Sequence, residues 1–281
     1  MLKFGWFSTG RGEGSRRLLQ AVQQSISNGD IDGKIGFVFC NREPGESEQT
    51  DMFFRLVQSY QIPLVYFSSK KFKERLPAKT NSGQEPPISS ASPHNSSPDA
   101  PAKENPSQQR WRILYDREID ARIKEFAPDI CVMAGYMLIL GEELCQQYTM
   151  INIHPAPPDG PVGTWKEVMW KLIEQKAEQA GAMMHMVTPE LDRGPVISYC
   201  SFPIKGLPFD SYWQKDDRDG LFALIRQYEL AREFPLIIST IKALSHGDIS
   251  IKDNMVIDAH GKPVKGYDLS KIIDKLVTET D

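Results

Sequence analysis

Two rhythms of apolar residues alternate along the first part of the chain. Leu2 to Ser8 reads as a short buried strand, and Ile35 to Cys40, continuous in apolar character, reads as a second strand with both faces covered. Between them, Leu18, Leu19, Val22 and Ile26 recur at helical spacing behind the glycine-rich turn TGRGEGS. A second helix is predicted over TDMFFRLVQSYQI, with Thr50 or Asp51 as its N-cap, and a third strand over Pro63 to Ser68. The rhythm then stops. Pro77 to Gln109 is proline, serine, asparagine and charge, without one aromatic residue. Such a segment buries too little apolar area to offset its ordering entropy, so a disordered insertion is expected there. A long loop with no role of its own is the plain reading, and a regulatory or partner-binding segment is the other.

Regularity resumes at Trp111. Tyr115, Ile119, Ile123 and Phe126 line one helical face that Pro128 ends. A strand is predicted at Ile130 to Gly135, a short helix at Gly141 to Tyr148, and a strand at Met150 to His154. Thr164 is placed to cap a helix over WKEVMWKLIEQK. AGAMMHMVT and VISYCSFPI are two more strands flanking a tight reversal, PELDRGP. A long helix from about Gly220 to Leu244 carries Pro235 as a kink, and the tail reads as a small hairpin with His260 and Gly261 near its turn. Strands alternating with helices predict an α/β fold, a mostly parallel twisted sheet with helices on both faces. The expected division is a main domain over 1–244, interrupted by 77–109, and a C-terminal extension over 245–281. In such sheets ligands sit beyond the carboxyl ends of the strands. That rule selects three loops: Thr9 to Ser15, Tyr136 to Leu140, and Asn152 to Gly163.

Composition narrows the function classes. Of 281 residues, 40% are hydrophobic and 25% charged, which is ordinary soluble composition, and the formal net charge of −4 gives no argument for a nucleic-acid partner. No apolar run approaches the roughly 18 residues of a membrane span. The N-terminus lacks the features of a signal peptide, and a cytoplasmic protein without membrane attachment is expected. Cys40, Cys131, Cys145 and Cys200 form no CxxC pair and are expected as reduced, mostly buried thiols. No spacing suggests a metal site. Oligomeric state is left open.

The candidate chemistry lies in the selected loops. TGRGEGS follows the first strand and opens a helix, so its backbone N–H groups are either a phosphate cradle or a tight turn; no lysine-Ser/Thr pair follows to make it a P-loop. Asn152 and His154 are two apart in a strand and therefore share a face at its carboxyl end. They either satisfy neighbouring backbone or offer an amide for a developing oxyanion and an imidazole for proton transfer. His154-Pro155 favours the second, because proline fixes the chain just after the histidine. Asp192 is a turn aspartate that could equally fold toward that imidazole, favour its charged form and organise a water. His185 is either a core histidine or a partner of that group.

In combination, Asn-x-His-Pro at 152–155 and Leu-Asp-x-Gly-Pro-Val-Ile at 191–197, with YDREIDARIKEFAPDICVMAGYMLIL before them, resemble the folate-dependent formyltransferase family, nearest its purine-synthesis branch. With weaker similarity at FSTGRGEGSRRLLQA, the resemblance covers about two thirds of the chain. It implies a Rossmann-like formyltransferase fold, N10-formyltetrahydrofolate as donor, and a primary amine of a small molecule as acceptor, phosphoribosylglycinamide-like or another. It assigns catalytic roles to Asn152, His154 and Asp192. The donor's pterin would lie against Met137, Leu138, Ile139, Leu140 and the loop Thr188, Pro189, Glu190 and Leu191. Substrate phosphate would bind at Gly14, Ser15 and Arg16. The departures fall on the acceptor side: APPDGP follows His154-Pro155 in a shorter loop, Arg16 stands where the family has asparagine, and Glu229 is only the nearest candidate for a substrate-binding glutamate. One departure touches the donor loop, where Leu138 replaces an arginine. Formyltetrahydrofolate hydrolysis and a non-catalytic folate or nucleotide binder are the alternatives.

Overall fold

The computed structural model describes residues 1–76, 106–190 and 192–279. Its central element is an eight-stranded sheet in the order β11-β7-β6-β5-β4-β1-β2-β3. The strands are β1 Leu2–Ser8, β2 Gly33–Cys40, β3 Leu64–Tyr66, β4 Ile130–Met133, β5 Met150–His154, β6 Gln179–Met186, β7 Val196–Pro203 and β11 Tyr267–Asp268. From β3 across to β5 every neighbouring pair is parallel, while β6 runs antiparallel to both β5 and β7. The expected mostly parallel sheet is therefore present, with one reversed strand beside β5.

Each face of the sheet has its own core, and the two-residue alternation of the strands divides them. Phe7, Phe37, Phe39, Met133 and Met150 pack with Tyr115, Ile119 and Ile123 of α4 (Pro106–Ile123) and Leu144 of α5 (Glu142–Gln147). Phe4, Trp6, Val38, Val132 and Ile151 face the other way, onto α1 (Glu13–Ser27), α2 (Glu48–Ser59) and α8 (Arg218–His246). A third cluster closes the β6–β7 side against α6 (Trp165–Glu174) and α8. The short helices α3 (Ser69–Arg75) and α7 (Asp210–Gln214) were not legible as helices, because neither carries a buried apolar stripe.

Several local expectations need correction. The second helix begins earlier than Thr50 or Asp51: its N-cap is Ser47, Thr50 is buried with its hydroxyl donating to the Gly10 carbonyl, and Asp51 accepts from the Gly45 N–H. Capping residues recur at 47, 50 and 51, so sequence alone does not choose between them. The expected insertion, 77–109, falls mostly outside the described residues, but its end is misplaced, since α4 already begins at Pro106, a residue suited to a first helical turn. The tail is more than a small hairpin. β8 (Ile249–Lys252), β9 (Met255–Asp258) and β10 (Pro263–Val264) form an antiparallel sheet of their own, with His260 and Gly261 between the last two. The chain then adds β11 to the main sheet beside β7 and packs α9 (Ser270–Thr278) against α8. Thr164 caps α6 as expected, with a full capping box to Glu167. α8 runs through Pro235. Cys40, Cys131 and Cys200 are buried and Cys145 partly so; all four are free thiols, and burial pushes each well above the usual thiol range, to about 11 or 12.

Candidate active site

β5 sits between β4 and β6, and its carboxyl end is where the candidate residues meet. Asn152 lies opposite Met133 on one side and His185 on the other, and His154 lies opposite Met183. Asn152 and His154 continue the face of Met150, over the α4 side of the sheet. Asn152 is half-buried and its amide makes no hydrogen bond among the described residues. His154 is only 2% exposed. Its Nε2 lies 2.9 Å from the carbonyl oxygen of Pro161, and its Nδ1 lies 3.4 Å from Asp192 Oδ2. A neutral imidazole can donate to only one of these acceptors; the imidazolium can donate to both. The proline loop is thus a cap on the histidine, with a backbone carbonyl aimed at the ring.

Asp192 arrives by a route that the sequence did not show. Because β6 is antiparallel to β5, Met186 stands beside Ile151 and Val187 donates its N–H to the Met150 carbonyl. The reversal after β6 therefore springs from the amino-terminal half of β5. It must fold back along the sheet to bring Asp192 to His154. Two features hold that path. Asp192 adopts a left-handed backbone (φ 54°), which aspartate tolerates better than most residues. Gly194 passes so close to β6 that a Cβ there would lie 1.8 Å from the Met186 carbonyl oxygen. The glycine of the Leu-Asp-x-Gly-Pro motif is required for space.

His185 completes a cluster. Its Nδ1 is 2.9 Å from the Met186 carbonyl, so that nitrogen carries the proton and Nε2 is left as an acceptor. Nε2 points at Asp192 Oδ1 across 3.7 Å and has no hydrogen-bond partner. Burial pushes the His185 pKa below its ordinary value, against the opposing pull of the Met186 carbonyl and Asp192. A neutral His185 with a free acceptor nitrogen is the result.

The other predicted residues are only partly brought together. Gly135 carries the chain out of β4 with its carbonyl accepting from Thr9 N–H, and Met137 N–H donates to the Thr9 hydroxyl. The Thr9–Ser15 and Tyr136–Leu140 loops are thereby joined over β1 and β4. Met137 and Ile139 are exposed apolar residues at 56% and 42%, Leu138 is half-buried, but Leu140 is turned into the α4 core. Thr188 is half-buried, with its hydroxyl donating to the Glu190 carbonyl; Pro189 and Glu190 are exposed, and Leu191 lies outside the described residues. Gly14 and Ser15 stand in the first turn of α1, with Ser15 against Gly135. Arg16 turns away: its guanidinium donates to Gln49 Oε1 at 2.8 Å, at the start of α2. Glu229 is fully buried and paired with Arg226 at 2.7 Å, so it is not presented to a ligand, and burial pushes its carboxyl up to about 8.

One residue that sequence reasoning missed is Asp116. It is buried on α4 and accepts the N–H of Gly141, directly after the Met137–Leu140 loop. Burial pushes its carboxyl up to about 7 despite that bond and the nearby Arg112. Nothing local in YDREID distinguishes this aspartate from Asp120 or Arg117.

An oxyanion-type amide, a capped imidazole and a carboxylate at one strand end, below exposed apolar loop residues, suit acyl-group transfer without a covalent intermediate. Comparison with known proteins agrees. The family model for formyl transferases matches residues 10–206. The chain belongs to the formyl transferase family. Among other members of that family, the phosphoribosylglycinamide formyltransferase of Escherichia coli is 32% identical over 161 residues, covering 56% of this chain and 68% of that protein. The enzyme of the same name from Haemophilus influenzae is 29% identical over 256 residues, covering 89% and 92%. The solved phosphoribosylglycinamide formyltransferase of Coxiella burnetii, at 20% identity, shares the fold with a TM-score of 0.58 over 95% of this chain and 98% of that one. Among the described residues, no helix is long and apolar enough to cross a membrane.

Proposed function

We propose that this formyl transferase passes the formyl group of N10-formyltetrahydrofolate to a primary amine of a small molecule, with Asn152, His154 and Asp192 as its catalytic residues. The observation carrying this reading is the convergence of Asp192, from the separate loop after β6, on the Asn152–His154 pair at the carboxyl end of β5, with His154 held between Asp192 and the Pro161 carbonyl. The pterin of the donor would rest on the exposed apolar side chains of Met137 and Ile139, with Leu138 and the loop residues Thr188, Pro189 and Glu190 as further candidates. The acceptor amine would lie along the Thr9–Ser15 loop, past Gly14 and Ser15, which is joined to the donor loop through Thr9.

The chemistry then follows from the chain's own groups. The amine attacks the formyl carbon and a tetrahedral oxyanion forms. The free amide of Asn152 donates to that oxygen, and His154 Nε2–H leaves the Pro161 carbonyl to do the same; Asp192 holds the ring's charge through Nδ1. A proton passes from the attacking amine to the leaving nitrogen through His154 or a water on Asp192, and His185 Nε2 is an acceptor for such a water. Water in place of the amine would give hydrolysis at the same residues.

Donor consumption by the purified protein tests this. N10-formyltetrahydrofolate is supplied with a panel of amines, then with none, and tetrahydrofolate release is followed. Amine-dependent release is the expected result. Equal release without amine would make the protein a hydrolase, and folate binding without any release would make it a binder.

A further inference from the structure

The loop between β4 and α5 has an organisation that the transfer step itself does not use. Its side chains alternate between anchor and surface. Tyr136 is 7% exposed, with its ring edge-on to Phe7 of β1, and Leu140 is 3% exposed in the α4 core. Between them, Met137 and Ile139 are exposed. Backbone N–H groups in a loop have no ladder or helix partner, so they must be met in some other way. Two buried side chains from distant segments meet them here. Met137 N–H donates to the Thr9 hydroxyl at 3.1 Å, and Gly141 N–H donates to Asp116 Oδ2. Thr9 directly follows β1, Asp116 stands on α4, and they are 3% and 2% exposed.

The two bonds bracket the exposed pair. One fixes the backbone where the apolar surface begins, the other where it ends. The second fit is close: a Cβ at Gly141 would lie 2.6 Å from Asp116 Oδ2, with Arg112 Cγ at 3.7 Å. Gly141 has φ −84° and ψ 170°, which any residue adopts. The carboxylate therefore uses the small size of this glycine and not its conformational freedom. Ordering a loop around a ligand costs conformational entropy at the moment of binding, and a loop held in place beforehand avoids that cost.

We propose that Thr9 and Asp116 are positioning residues for the donor, which hold the Met137–Ile139 surface in its folate-binding form through the Met137 and Gly141 N–H groups. The identity of the ligand as folate rests on the transfer reading above. Neither side chain needs to touch the donor or the reacting atoms. Their loss should therefore fall on binding and leave the chemistry at the end of β5 intact.

Tetrahydrofolate, which carries the pterin without the formyl group, is titrated into the full chain and followed by tryptophan fluorescence; transfer is then assayed over a range of donor concentrations. Asp116→Ala and Thr9→Val should each raise the folate Kd and the donor KM about tenfold, the loss of one buried hydrogen bond, while kcat at saturating donor stays within about twofold. Asp116→Asn keeps an acceptor for Gly141 and should bring both constants back to within about twofold of the wild type. Gly141→Ala should weaken binding by pushing the carboxylate aside, and should add nothing in the D116A background, where that clash is gone. A side chain that only supported the fold would lower the melting temperature and kcat without this split between KM and kcat. Folate affinity untouched by D116A and T9V, D116N no better than D116A, an undiminished G141A effect on top of D116A, or a wild type that binds no folate would each overturn the proposal. Amine formylation with an unchanged donor KM in every variant would overturn the two anchors and leave the transfer reading standing. The expected Kd shifts in a chain that formylates no amine would do the reverse.

Discussion

Asp116→Asn isolates one buried carboxylate beneath the donor loop. Asp116 is 2% exposed, accepts the Gly141 N–H, and is pushed by burial from 3.8 to about 7. A group whose folded pKa is raised binds its proton more tightly in the folded state, so stability is fully present at low pH and falls as pH rises between the two values. At about 1.4 kcal/mol per pKa unit the whole loss is roughly 4 kcal/mol. From about pH 5 to about pH 8 the proton difference persists over some two units, which makes roughly 3 kcal/mol. Asparagine keeps the shape and still accepts from Gly141 but has no proton to lose. Urea unfolding followed by tryptophan fluorescence should therefore show the variant gaining about 3 kcal/mol on the wild type between those two pH values. Glu229, pushed up to about 8 for the same reason, gives both proteins a slope of the same sign and cancels in the difference. Parallel stability curves for the two proteins would refute the buried, protonated Asp116.

Other consequences follow from the same geometry. His154→Ala and Asp192→Asn should each lower turnover by about 10²- to 10⁴-fold while folate affinity, read by fluorescence quenching, stays within a few-fold; fully active variants would sink the assigned roles. Gly194→Ala places a Cβ 1.8 Å from the Met186 carbonyl. The Asp192 loop must then move, so activity should fall as far as in D192N, and the melting temperature should drop by several degrees, since overpacking costs about 1–3 kcal/mol. Ile119→Ala, at a fully buried α4 position, should cost about 2–5 kcal/mol in urea unfolding without changing the donor's Kd.

The apolar pattern of the chain was enough to predict the sheet with its two covered faces, because buried strands and amphipathic helices leave a local imprint at spacings of two and 3.6 residues. It also brought Asn152 and His154 to one face, since two-residue spacing in a strand decides that without tertiary information. Asp192 was legible as a candidate, but not how it reaches the histidine: the reversed direction of β6 and the close passage of Gly194 are properties of strand pairing. Asp116 and the Thr9 anchor were illegible for a related reason. Each depends on what packs beside a polar residue from a distant segment: Gly141 next to α4 for one, and Met137 beside the end of β1 for the other. The tail misled the hairpin reading in the same way, since a two-residue strand such as β11 has no period to read and is a strand only because β7 offers it a free edge. Sequence by itself determined which segments must be buried and which chemistry the chain carries. The tertiary structure decided which of those groups meet, because contact between distant segments is set by packing and pairing that no local pattern records.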